Sequence, residues 1–229
     1  MPTLPDVQAV LFDLDGTLLD RRRSFERFVR AQWERFAGAL DTVEGEQYVQ
    51  ALVDRDRDGY APRKDVFGGI IGQFAVPSGL AEALLEDYRD GFPSACVLFP
   101  DAVTTLSSLR ASGLTLGVIT NGSVRMQSRK LECLGLSPMF DTILISDLEG
   151  VSKPDRQIFH RASERLRVHP GQAVFVGDHP AIDVDGARAA GMLSVWRRDP
   201  RVSQSVEADA VIDELGDLLS LLGLERDEE

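Results

Sequence analysis

The run Ala9-Val10-Leu11-Phe12, stopped abruptly by Asp13, constrains this chain more than any other stretch. Four consecutive apolar residues, β-prone and too short for a helix, suit a strand covered on both faces, as in parallel sheets. Similar short runs recur at Leu114 to Thr120, Thr142 to Ser146, Ala173 to Val176 and Leu193 to Trp196. Between them apolar residues return at three- and four-residue steps, as in Ala102, Val103, Leu106 and Leu109, then Ile158, Phe159, Ala162 and Leu166. Three helical stretches end in a glycine just before the next strand (Gly113, Gly135, Gly191), the left-handed stop that turns a chain back toward its sheet. Alternating strand and helix predicts an α/β fold, a doubly wound parallel sheet.

Residues 19–95 break that rhythm. Phe25, Phe28, Val29, Trp33 and Phe36 make one face of an amphipathic helix and Ala81 to Tyr88 also reads as helical, but nothing between them has a strand's period. The expectation is an inserted α-helical domain, 19–95, that leaves an α/β domain of residues 1–18 and 96–229 after its first strand and returns before its second. Gly68-Gly69, Gly72 and Pro77 are expected to mark turns inside it, and Glu225 to Glu229 to form a solvated acidic end.

Composition narrows the function classes. With 37 acidic against 25 basic side chains the formal charge is -12, an adverse field for a nucleic-acid partner. Cys96 and Cys133 show neither a disulfide framework nor metal-ligand spacing, and read as small core residues in a reducing compartment. No apolar run is long enough for a membrane span, and the first basic residue is Arg21, so no leader is read and a cytoplasmic setting is expected.

The chemistry gathers at strand ends. Asp13-Leu14-Asp15-Gly16-Thr17 stands at the carboxyl end of the first strand, where open α/β sheets hold their ligands. Strand alternation would point Asp13 and Asp15 to one side. The fourth strand ends in Gly177-Asp178, with Asp183 five residues on, giving a second acidic group at the same edge. Hard carboxylates without a His or Cys constellation select Mg²⁺ over zinc. Thr120-Asn121-Gly122-Ser123 is a small polar turn opening a helix, suited to a phosphate. In Ser152-Lys153-Pro154-Asp155, Pro154 at the first helical position would set Lys153 at the positive end of a helix, a poor place for a cation unless an anion binds there. Carboxylates for a cation, with a hydroxyl, amides and a lysine for phosphate, are the equipment of phosphoryl transfer.

In these four motifs, and in their order, the chain resembles the haloacid dehalogenase-like hydrolase superfamily: the DxDGT of Asp13 to Thr17, the strand-ending Thr120 with Asn121-Gly122, the Lys153-Pro154 pair, and the GDxxxxD of Gly177 to Asp183. The resemblance covers nearly the whole chain, and the helical insert looks like the family's cap inserted after the first strand, expected to close over Asp13 and select the substrate. It implies a Mg²⁺-dependent phosphatase of a small phosphorylated metabolite. Asp13 would be the nucleophile that forms an aspartyl-phosphate, and Asp15 the general acid, then base, whose main-chain carbonyl helps hold the metal. Thr120, Asn121 and Lys153 would bind the phosphoryl group, Lys153 also offsetting its repulsion from Asp13. Like charges at 4 Å repel by ~4 kcal/mol at an effective dielectric near 20, comparable to several hundredfold in rate. Asp178 would ligate Mg²⁺ and Asp183 would support the metal's surroundings and Lys153. Ile182 and His179-Pro180 depart from the usual form of the fourth motif.

A phosphomutase of the superfamily would keep all four motifs. A haloacid dehalogenase would lack the acid two residues after the nucleophile, and a non-catalytic binding module would have lost some of Asp13, Asp15, Lys153 or Asp178. His179 reads as a loop residue. Arg21-Arg22-Arg23 reads as a solvated charge run, with attraction of an anionic substrate as the functional alternative.

Overall fold

The computed structural model describes residues 6–202 and 205–224; the acidic tail 225–229 lies outside them. The chain forms two compact units, one running to Leu18 and resuming at Leu98, the other Leu19–Val97.

Strand β1 (Ala9–Phe12) is fully buried. The second unit then follows as four helices: α1 (Arg21–Arg35), α2 (Gly45–Asp56), α3 (Arg63–Phe74) and α4 (Leu80–Ala95). The first unit resumes with α5 (Ala102–Ala111), β2 (Thr115–Thr120), α6 (Val124–Cys133), β3 (Thr142–Ile145), the single turn α7 (Ser146–Glu149) and α8 (Arg156–Leu166). It ends with β4 (Ala173–Gly177), α9 (Asp185–Ala189), β5 (Leu193–Arg197), β6 (Ala210–Ile212) and α10 (Asp217–Leu221). Its six strands are all parallel, in the order β3-β2-β1-β4-β5-β6.

That order grows outward from β1 through β2 and β3, then restarts on its other side with β4. The carboxyl ends of β1 and β4 are therefore the switch point, where doubly wound sheets bind ligands. Phe12 is level with Val118 and Val176, so Asp13, Thr120 and Asp178 leave the sheet along one edge. Below them Leu11, Ile119, Leu144 and Phe175 pack on Phe159 and Ala162 of α8 and Ala187 of α9, while alternation turns Val10, Phe12 and Val176 to the opposite face. The stops at Gly113, Gly135 and Gly191 take φ of +83°, +67° and +77°.

Several local expectations are corrected. Strand β6 was not read, because three residues carry too little pattern. Gly68, Gly69 and Gly72 lie inside α3, not in turns. The helix holds there because Val66, Phe67 and Ile70 form a buried stripe, and Gly69 admits Arg55, whose Nε would stand 2.4 Å from an added Cβ. Pro154 precedes α8, which starts at Arg156 under the Asp155 side chain as its cap. Cys96 is buried, but Cys133, at the last turn of α6, is exposed.

In the helical unit, α1 buries Phe25, Phe28 and Val29 as its pattern implies, but Trp33 and Phe36 are only half-buried. Their expected place on the stripe is taken by Gln32, whose amide donates to the Leu84 carbonyl at 2.9 Å and to Asp87 at 2.8 Å and accepts from the Tyr48 hydroxyl at 2.8 Å. Arg21 is 4% exposed and pairs with Asp56 at 2.9 Å, with Arg63 on the same carboxylate oxygen. Arg22 pairs with Glu26 on the surface. Arg21 and Arg22 thus both have acidic partners within this unit.

Candidate active site

The site grows from three loops at the carboxyl edge of the sheet. Asp13, the first residue past β1, donates its backbone N–H to the Val176 carbonyl at 2.9 Å, which fixes it beside β4. Asp178 follows β4 directly, and Asp183 sits in a tight π-type turn, Pro180–Val184, that His179 caps by accepting from the Ile182 N–H at 3.2 Å. One carboxylate oxygen from each of Asp13, Asp178 and Asp183 lies within 4.8 Å of the others.

Two glycines make that convergence feasible. A Cβ on Gly16, whose φ is +95°, would stand 2.4 Å from Asp178 Oδ2, and one on Gly177 would stand 2.3 Å from Asp183 Cβ. Trp196 on β5 donates from Nε1 to the Asp178 carbonyl at 2.9 Å, and Arg197 donates to the Gly16 carbonyl at 3.1 Å while lying over the Phe99 ring. Neither was singled out from sequence, since each reads as the end of an apolar strand.

Lys153 enters this acidic group as its described cation. Its Nζ is 2.5 Å from Asp13 Oδ1 and 2.7 Å from Asp183 Oδ1, and the residue is only 3% exposed. Burial alone would depress the ammonium, but Asp13 and Asp183 outweigh it by charge and hydrogen bond and hold it above the usual lysine range. Burial pushes Asp13 up to about 7, with Lys153 opposing and Asp183 adding. Asp178 is raised as well, by burial first and then by Asp183 and Asp13. Three carboxylates around one ammonium leave local negative charge, and every donor is a hard oxygen, which fits Mg²⁺.

Asp15 has hydrogen-bond partners of its own on α6: Lys130 Nζ is 2.7 Å from both carboxylate oxygens, and Gln127 Nε2 donates to Oδ2 at 2.9 Å. Its charge still reaches Asp13 and adds to the rise of that carboxyl. The same Gln127 nitrogen donates to the Thr120 hydroxyl. Sequence reasoning missed both α6 residues, although Gln127 and Lys130 occupy stripe positions continuous with apolar Leu131, a buried place for an amide and a cation that asks for partners.

The turn from Thr120 to Ser123 is held by hydrogen bonds. Ser123 caps α6 through the Met126 N–H, and the Gly122 N–H donates to Ser146 at 3.0 Å. The Asn121 side-chain amide donates to the Lys153 carbonyl at 2.9 Å and accepts from the Lys153 N–H at 3.0 Å, so it clamps the lysine segment. Asp183 is engaged on both oxygens, by Lys153 and by the His179 N–H at 3.0 Å, so the departures at His179 and Ile182 leave its position intact.

Comparison with known proteins gives the chain a family and a fold. The family model described as haloacid dehalogenase-like hydrolase matches residues 7–191. A glyceraldehyde 3-phosphate phosphatase of Pyrococcus furiosus is 36% identical over 229 residues, covering 94% of this chain and 93% of the relative. Among solved structures, a HAD phosphatase from Thermococcus onnurineus is 32% identical with a TM-score of 0.67, covering 96% of this chain and 100% of that one. A 2-haloacid dehalogenase from Pseudomonas syringae is 30% identical with a TM-score of 0.63, over 95% and 98%.

Proposed function

The chain belongs to the haloacid dehalogenase-like hydrolases, and on that premise we propose that it is a Mg²⁺-dependent phosphoric monoester hydrolase of a small phosphorylated metabolite. The observation that carries this reading is the division of labour in the DxD motif: Asp13 sits in the carboxylate group with Lys153, and Asp15 is held separately on Lys130 and Gln127. A nucleophile and a proton carrier need different surroundings.

In this reading an Asp13 oxygen attacks phosphorus, and an aspartyl-phosphate forms as the ester oxygen departs with a proton from Asp15. Water then attacks phosphorus, Asp15 takes its proton, and inorganic phosphate leaves with Asp13 restored. Thr120 and Lys153 hold the phosphoryl oxygens, Lys153 offsetting their repulsion from Asp13. Asp13, Asp178 and the main-chain carbonyl of Asp15 would hold Mg²⁺, with Asp183 supporting them and Lys153 from the second layer. Bound there, Mg²⁺ supplies neutralising charge to the phosphoryl oxygens.

Substrate choice is assigned to the helical unit as a cap, residues 19–95 by sequence, because both of its connections join the loop after β1 and the segment before α5. Two cysteines in 229 residues, with no disulfide framework in their spacing, support a reducing, cytoplasmic setting.

The test is phosphate release from the purified protein against sugar phosphates, phosphoglycolate-like acids and nucleoside monophosphates, with Mg²⁺ and with excess EDTA. Release from at least one ester, abolished by EDTA and restored by Mg²⁺, is expected. Undiminished release after metal removal would sink the metal assignment. Transfer of the phosphoryl group to a second hydroxyl without release would favour a phosphomutase, and halide release from a 2-haloacid alone would favour a dehalogenase.

A further inference from the structure

Helix α6 buries two polar side chains that belong to none of the four motifs. Gln127 and Lys130 are 2% and 4% exposed, and at three-residue spacing they face the same way. A lysine is costly to bury unless a charged partner receives it, and here the partner is a site carboxylate. Lys130 Nζ reaches both Asp15 oxygens at 2.7 Å, and with Gln127 Nε2 on Oδ2 at 2.9 Å the carboxylate is held from two directions, not merely neutralised. Each carboxylate of the DxD motif thus has its own lysine, Lys153 for Asp13 and Lys130 for Asp15.

Gln127 adds the link. Its amide nitrogen carries two protons, and the structure aims that nitrogen at Asp15 Oδ2, at 2.9 Å, and at the Thr120 hydroxyl oxygen. A hydroxyl that accepts from Gln127 keeps its own proton to donate. Gln127 therefore turns Thr120 into a donor, as a phosphoryl oxygen requires, and ties that hydroxyl to the residue read as the proton carrier.

We propose that Lys130 and Gln127 are positioning residues for phosphoryl transfer: Lys130 fixes the Asp15 carboxyl group in line with the leaving oxygen, and Gln127 couples it to the phosphoryl-binding Thr120. The proposal rests on the acid–base reading of Asp15 given above. It differs from a structural ion pair joining the β1 loop to α6, which would affect stability without regard to the ester cleaved.

The experiment measures kcat/KM of Lys130→Met, Lys130→Arg, Gln127→Leu and Asp15→Asn, and of the double variant Asp15→Asn/Lys130→Met. Two esters are used: an alkyl phosphate turned over by the unaltered protein, and p-nitrophenyl phosphate, whose phenolate departs without needing a proton. Misplacing a proton donor by about 1 Å costs on the order of a hundredfold, so Lys130→Met should lower kcat/KM for the alkyl ester by about that factor. The loss on p-nitrophenyl phosphate should be under about tenfold, since general-acid help matters less there. Lys130→Arg should recover part of the alkyl activity. Gln127→Leu should raise KM for both esters and lower kcat/KM more for the alkyl one. In the Asp15→Asn background, Lys130→Met should add no more than about twofold, the non-additivity of residues that act as a unit.

Equal losses on both esters in the folded Lys130 and Gln127 variants, or full multiplication of the two losses in the double variant, would overturn the proposal. Should Lys130→Met fail to fold, the ester dependence of Lys130→Arg and Gln127→Leu decides the matter alone. Undiminished alkyl turnover in Asp15→Asn would overturn the acid–base reading itself, an outcome distinct from an Asp15→Asn loss that Lys130 does not share.

Discussion

Each of the two units buries charge, with opposite imbalance. The α/β unit gathers three carboxylates, Asp13, Asp178 and Asp183, around Lys153, whereas the helical unit sets two guanidiniums, Arg21 and Arg63, on Asp56. The guanidiniums have a second means of support: Arg21 lies 4.9 Å and 4.6 Å from the Phe25 and Phe92 ring centres, and Arg63 lies 5.5 Å from that of Tyr88. Aromatic faces stabilise a cation without any ligand. Carboxylates have no such recourse, and burial drives Asp13 and Asp178 up instead. The positive cluster has its partners within its own unit, while the negative one, in the proposed function, takes a cation and a reacting group.

The comparison breaks if function and stability do not separate between the units. The largest effect is expected from Asp13→Asn, which removes the nucleophile at nearly constant volume. Turnover should fall by at least about 10⁴-fold while the denaturant midpoint does not fall, since one of three crowded carboxylates becomes neutral. A marked loss of stability would mean that the carboxylate group is structural after all.

Asp56→Ala should do the reverse. Removing one partner of a buried ion pair costs about 3–5 kcal/mol, read as a shift in urea unfolding. A loss below about 1 kcal/mol would show that the aromatic faces alone hold Arg21 and Arg63.

A smaller effect of opposite sign tests the glycines. A Cβ at Gly68 in α3 meets nothing within 4 Å, so Gly68→Ala should stabilise the helical unit by about 0.5–1 kcal/mol. At Gly16 a methyl group would collide with Asp178, so Gly16→Ala should instead weaken Mg²⁺ binding, measurable by calorimetry. Equal tolerance at both positions would refute the steric role given to Gly16.

The same contrast explains what the sequence made legible. Asp13 to Thr17, Thr120 to Ser123 and Gly177 to Asp183 are contiguous because a parallel sheet delivers chemistry at strand ends, a few residues at a time. The cluster of Arg21, Asp56 and Arg63 joins residues from three different helical segments, and no local pattern announces it. Gln127 and Lys130 were hidden in α6, where a polar residue on the stripe reads as an imperfect amphipathic face. The glycines of α3 misled because glycine usually marks turns, and tertiary packing of Val66, Phe67 and Ile70 overrode that tendency. Pro154 misled by two residues, since α8 starts at Arg156 with Asp155 as its cap.

The central claim is that Asp13 carries the phosphoryl group and Asp15 carries the proton. The most direct measurement is peptide mass spectrometry of Asp15→Asn protein, acid-quenched during exposure to a substrate ester with a good leaving group and Mg²⁺. Slowed hydrolysis should let the intermediate accumulate, and the added phosphoryl mass should fall on Asp13, with none in Asp13→Asn treated alike. A phosphoryl group found on any other residue, or found undiminished in Asp13→Asn, would contradict the account.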